Sequence, residues 1–202
     1  MAHETRVLAP WAEPVWTAKI PLTSEALLTV PDDGYQYELV EGRLVRMTPS
    51  AGGDSARAAR LVIALGAYVQ QHGLGEITGA DGGFLLSVPG SPTTVLAPDI
   101  GFVRTGRAPR PGTPEYDRFW EVAPDLAVEV ASGQQSRPEL AAKARFYLRA
   151  GVRMLWLIWP KYRLVEVWRQ GSEDPVAELH DTEQLDGLDV VPGFTYPVTN
   201  LF

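Results

Sequence analysis

Two carboxylates interrupt apolar, β-favouring runs: Asp99 in APDIGFV and Glu129 in APDLAVEVAS. An unpaired charge in such a setting is expensive to keep, so the fold has to supply each acid with a partner or a use. Strand side chains alternate between faces, which sends Leu126, Val128 and Val130 one way and Ala127, Glu129 and Ala131 the other. Glu129 therefore shares its face only with small residues. Taken singly, each acid reads equally well as a strand-end residue paired with an arginine. Taken together on neighbouring strands, the two form a hard, all-oxygen site of the kind that suits a divalent cation such as magnesium.

At 202 residues and 22.1 kDa the chain has room for one domain with a single substantial core. Residues 1–22 carry proline steps, Trp11 and Trp16 without periodicity and read as an extended arm, which leaves 23–202 as the domain. The absence of cysteine excludes a disulfide framework, a thiolate zinc site and a cysteine nucleophile, and fits a reducing cytoplasm. No apolar run approaches the roughly 18 residues of a membrane span, and no basic-then-apolar signal opens the chain. A soluble intracellular protein is expected, with no membrane partner.

The net charge of −7 argues against indiscriminate coating of nucleic acid, yet its distribution is uneven. Residues 137–169 hold eight Lys or Arg against Glu139 and Glu166, and residues 170–202 hold seven acids with no Lys or Arg. Such a split is compatible with one basic face for a polyanion and an acidic face elsewhere. Arg145 and Arg149, with Arg104 and Arg107 of an arginine-rich loop over residues 104–118, are the expected phosphate contacts.

The segment YELVEGRLVRM predicts a hairpin around Glu41-Gly42. A helix is predicted over 55–72, with Ala58, Leu61, Val62, Leu65 and Val69 at helical spacing and Gly73 as its stop. Strands follow in GGFLLSV, VLAPDIGFV and DLAVEVA. A second helix begins near Pro138, where Ser136 and Glu139 make a capping-box pattern, and ends at Gly151. MLWLIW and RLVEVWR are two further strands before a β-rich tail.

On the second helix Leu140, Ala144, Tyr147 and Leu148 form the buried stripe, with Lys143 at its edge. Its stem can lie along the core while the ammonium reaches over the sheet. The competing expectation is a surface pair with Glu139, four residues earlier. The three histidines have no zinc or triad spacing, and no glycine-rich phosphate loop is present. The six tryptophans read mostly as core or arm residues, and Trp120, near the long loop, is the single candidate among them for stacking on a base.

As a set, YELVEGRLVRMTP, GEITGADGGFLL, APDIGFV, APDLAVEVAS, KARFYLRAGVRMLWLIWP, VEVWR and PGFTYPVTNLF resemble the Uma2 family, a branch of the PD-(D/E)XK nuclease superfamily. The resemblance runs from about residue 30 to 202. It implies a restriction-endonuclease-like fold, a central mixed sheet flanked by helices, with Asp99 and Glu129 as the superfamily acids. It also implies a DNA substrate, and homodimers are frequent among such nucleases. The usual lysine two residues after the second acid is replaced by Ala131, and Lys143 matches the lysine this family carries on the next helix. Glu38 matches a further family acid. Asp54, Ser132-Gly133-Gln134-Gln135 and Trp159 depart from the family pattern.

In this reading Asp99, Glu129 and the carbonyl of Val130 hold magnesium or manganese, and Lys143 orients or helps deprotonate the attacking water. Two other classes stay open on sequence: a catalytically silent nucleic-acid-binding or interaction module, and a phosphatase-like metal hydrolase on the same acids.

Overall fold

The computed structural model describes residues 14–16, 22–30, 35–47 and 49–202, so most of the expected arm lies outside the described residues. A three-residue strand β1 (Pro14–Trp16) and a short helix α1 (Ser24–Leu28) precede the hairpin of β2 (Gln36–Val40) and β3 (Arg43–Met47). Its turn residues Glu41 and Gly42 have φ of 49° and 74°. That left-handed pair gives the type I′ geometry whose twist matches the flanking strands. Helix α2 (Gly52–His72) starts earlier than its apolar periodicity indicates and stops at Gly73, whose φ of 60° costs glycine no Cβ clash.

The strands β4 (Gly75–Thr78), β5 (Phe84–Leu86), β6 (Thr94–Leu96), β7 (Ile100–Arg104) and β8 (Leu126–Val130) follow. Helix α3 (Arg137–Arg149) opens on the complete Ser136–Glu139 capping box. The strands β9 (Met154–Trp159), β10 (Leu164–Arg169), β11 (Ala177–Leu179), β12 (Gln184–Asp186) and β13 (Thr195–Pro197) complete the chain, with a closing 3-10 turn at Val198–Leu201.

A six-stranded sheet in the order β11-β10-β9-β8-β7-β4 is the centre of the molecule. It is mixed: β8 and β9 run parallel, joined by the α3 crossover, and the other pairs are antiparallel. The hairpin belongs to a second, five-stranded sheet in the order β1-β3-β2-β6-β5. One face of the central sheet packs with α3 and the five-stranded sheet, through Ala127, Leu155, Leu157, Leu140, Tyr147, Val40 and Phe84. The other face packs with α2 and the tail, through Leu126, Val128, Trp156, Leu61, Leu65 and Leu201. The alternation read in DLAVEVA thus divides two apolar layers. Among the described residues no helix is long and apolar enough to cross a membrane.

VLAPDIGFV is not one strand. Its first part is β6 of the five-stranded sheet and its second part is β7 of the central sheet, so the chain changes sheets at Ala97-Pro98-Asp99. Pro98 has no N–H to give a ladder and favours the break. The strand GEIT, absent from the sequence-based order, becomes the edge strand β4 because it pairs with β7 along its whole length.

Candidate active site

The change of sheets delivers Asp99 to one end of the central sheet. Ile100 lies opposite Val128, so Asp99 stands beside the last residues of β8, and its Oδ2 accepts the Val130 N–H at 2.7 Å. Glu129 projects from β8 toward α3. There the Lys143 Nζ lies 2.8 Å from Glu129 Oε1, and the Tyr147 hydroxyl donates to that same oxygen at 2.8 Å. Glu38 enters from β2: its Oε1 accepts the Ala97 N–H at 2.9 Å and stands 3.9 Å from Lys143 Nζ. Glu38 pins the crossing segment that carries Asp99, so the two sheets are fastened together at the acids.

The surface pair between Lys143 and Glu139 does not form. Glu139 is occupied by the Ser136 hydroxyl and N–H at the helix cap, and Lys143 is buried at 3% exposure. A lysine so enclosed loses hydration, which favours its neutral form. The negative field of Glu129, Glu38 and Asp99 overrides that loss and holds its pKa above the ordinary lysine range.

The acids bear the cost. Burial, then repulsion from Glu129, push Asp99 up to about 6 against the opposing Val130 N–H. Burial raises Glu38 too, although Lys143 pulls the other way. Burial and the nearby carboxylates raise Tyr147 well above its usual value, which keeps its hydroxyl a donor. Three carboxylates against one ammonium leave a formal excess of two negative charges when all are ionised.

Among the described residues no three His, Cys, Asp or Glu side chains stand close enough to hold a metal by themselves. Magnesium needs fewer, because it keeps several waters and takes one or two carboxylates. Among the described residues the hydrogen bonds and ion pairs occupy one oxygen each of Asp99, Glu129 and Glu38, leaving Oδ1 of Asp99 and Oε2 of each glutamate. Hard oxygen donors and an excess charge of two fit a divalent cation.

The arginines are placed differently from the sequence expectation. Arg104 and Arg107 surround Asp125, fully buried just before β8, at 3.7 Å and 2.6 Å, and the Arg104 N–H also donates to it. Asp125 precedes Glu129 by four residues, so these arginines lie roughly 13 Å along the strand, at the opposite end of the sheet. Arg145 pairs with Asp174 at 3.2 Å and donates to the Glu173 carbonyl. Arg149 is exposed on the last residue of α3. Trp120 is buried against Phe84, with its indole N–H on the Tyr116 carbonyl, and offers no face to a base.

Nor does the acidic tail occupy a separate face. Glu178 pairs with Arg137, Asp174 with Arg145, Asp181 with Arg163, and Asp189 with both Arg153 and Arg169. Five of the eight basic residues of 137–169 are thereby neutralised by the segment that follows them. The physical reason is the antiparallel return of β11 on β10, which folds one charge block onto the other.

Sequence reasoning placed Tyr147 in the buried stripe and missed its bond to Glu129. Its position four residues after Lys143, on the same helix face, was the available signal. Asp125 was missed outright, although it heads the same apolar run as Glu129.

A mixed sheet entered by a crossing strand, with strand carboxylates meeting a helix lysine at one end, defines a restriction-endonuclease-like α/β protein. The chain belongs to the Uma2 family, described as "Putative restriction endonuclease", whose profile matches residues 24–199. The fold is similar to the crystal structure of a "putative nuclease belonging to DUF820" from Anabaena variabilis ATCC 29413, with a TM-score of 0.73. That likeness covers 90% of this chain and 98% of the other at 20% sequence identity. No curated protein matches the chain in sequence.

Proposed function

We propose that the chain is a metal-dependent endonuclease that hydrolyses DNA phosphodiester bonds at the Asp99–Glu129 end of the central sheet. The observation that carries this reading is the buried convergence of Lys143 on Glu129 and Glu38 beside Asp99, in a chain of this family. Asp99, Glu129 and the carbonyl of Val130 would hold magnesium or manganese, with Glu38 behind them. A bound divalent ion would supply charge stabilisation at the pentacovalent phosphate and an acidified water.

The chain's own groups divide the remaining work. In the metal-free field Lys143 keeps its proton, which suits a cation that orients the water and offsets phosphate charge; a bound divalent ion would oppose that field and so favour the lysine's help in deprotonating the water. The Val130 N–H and Tyr147 hydroxyl each hold one oxygen of an acid, which directs the other oxygen toward the reacting centre. Arg149 would meet a phosphate further along the strand, while Arg104, Arg107 and Arg145 are committed to carboxylates and brace the scaffold that bears the site.

The test is cleavage of supercoiled plasmid with magnesium or manganese. Nicking that disappears on chelation, and in Asp99→Asn and Glu129→Gln, is the expected result. Metal-independent nicking, or equal nicking by both variants, would refute the assignment.

A further inference from the structure

Tail pairing removes most of the positive charge expected to hold DNA, so something else has to grip the substrate near the acids. The turn between β9 and β10 has the right place and chemistry. Leu157 lies beside Glu129 in the parallel ladder, and Trp159, two residues on, faces the same side of the sheet. Strand and residue spacings put Trp159 roughly 8 Å from Glu129, backbone to backbone.

Tyr162 follows in the turn, 50% exposed, with its ring 6.2 Å from that of Trp159. The Arg137 guanidinium sits 5.6 Å from both rings, and the Lys161 ammonium lies 5.5 Å from the Tyr162 ring. Glu166 and Glu178 fix Arg137, and Asp181 fixes Arg163, so the cluster is braced before any ligand arrives. Lys161 has no ion pair among the described residues, which leaves its charge for a ligand. The buried Trp159 indole N–H likewise lacks an acceptor among them.

We propose, resting on the nuclease reading above, that residues 160–163 form a strand-binding platform. Tyr162 stacks on an unpaired base next to the phosphate that enters the Asp99–Glu129 cluster, and Lys161 meets the flanking phosphate. A duplex keeps its base faces stacked inside, so an exposed aromatic ring selects a single strand or a frayed end. The electrostatics point the same way. Duplex binding by charge alone takes several phosphate contacts, whereas Lys161 and Arg149 supplemented by stacking suit a strand with open bases.

The experiment is fluorescence anisotropy of a short labelled DNA in single-stranded and duplex forms, titrated with the full chain in calcium to suppress cleavage. The wild type should prefer the single strand. Tyr162→Ala should lose about 5- to 150-fold in that affinity, while Tyr162→Phe retains it. Lys161→Ala should flatten the salt slope by about 0.7. If Tyr162→Ala misfolds on thermal melting, Tyr162→Leu takes its place, keeping apolar bulk without a ring. Failure of the wild type to bind either DNA would overturn the nuclease reading and the platform together. Binding by the wild type that is unchanged in the ring-less variant, or that favours duplex, would overturn the platform alone.

Discussion

Replacing Asp99 by Asn should stabilise the metal-free protein at neutral pH. Asp99 has its pKa raised to about 6 from an ordinary 3.8, so between those values the native state holds a proton that the unfolded chain has released. Stability then falls as pH rises, by about 1.4 kcal/mol per unit, and the full loss above pH 6 approaches 3 kcal/mol. Below about pH 4 both states are protonated and the penalty vanishes. An asparagine keeps an acceptor oxygen for the Val130 N–H and never ionises. Urea unfolding in chelator at several pH values from 4 to 8 measures this directly. The expected curves for wild type and Asp99→Asn coincide near pH 4 and diverge by up to about 3 kcal/mol at pH 7, the variant being the more stable. Added manganese should close the gap by stabilising the wild type only. A variant less stable than wild type at pH 7, or a difference independent of pH, would show that the acid is not held against its charge.

Tyr147→Phe removes a hydrogen bond to a charged acceptor while Lys143 still holds Glu129, so a loss of about 1.5 to 3 kcal/mol in urea unfolding is expected. Manganese affinity in calorimetry should drop about 10-fold or more, as for groups that orient a metal's ligand. Asp125→Ala strips three arginines of their buried partner and should cost about 3 to 5 kcal/mol, with unfolding below physiological temperature the extreme outcome. Arg145→Ala breaks a solvent-screened pair with Asp174 and should cost under about 1 kcal/mol, so a larger thermal shift would mean that the tail clamp is structural.

How much of this the sequence discloses follows from how local each signal is. The capping box at Ser136, the stop at Gly73 and the Glu41-Gly42 turn are settled by neighbouring residues and read directly. The face of Glu129 follows from period-two alternation in one strand. The sheet change at Pro98 depends on which of two sheets each half of VLAPDIGFV can join, and that is decided by β2 and β8, far away in sequence. The neutralisation of 137–169 is non-local in the same way, because charge counts along a chain do not record that β11 returns on β10. Tyr147 looked apolar on a helical wheel since burial and a buried hydrogen bond share one periodicity. The arginine-rich loop misled because its composition suits a polyanion while its position, at the Arg104 end of β7, is set by strand direction.

Moving the lysine tests whether the cluster needs a cation or needs this helix. Ala131 is buried on the face of Glu129, two residues along, and a lysine there has the reach to bring its ammonium to the same carboxylate. Lys143→Ala alone leaves Glu129 and Glu38 enclosed and without their ammonium, a loss of about 3 to 5 kcal/mol at pH 7; part of it should return on acidification, because burial already raises Glu38 and the lysine no longer opposes that shift. Adding Ala131→Lys restores the charge but inserts a long stem into a filled layer, which costs about 1 to 3 kcal/mol in overpacking. The double variant should therefore regain only part of the stability, yet its stability should lose the decline with rising pH expected of Lys143→Ala, in which the raised Glu38 has no ammonium against it. The pH profile separates the two contributions, since overpacking does not titrate. If the double variant keeps the declining profile of Lys143→Ala, the strand position cannot deliver its ammonium to Glu129, and the helix is an obligatory part of the site.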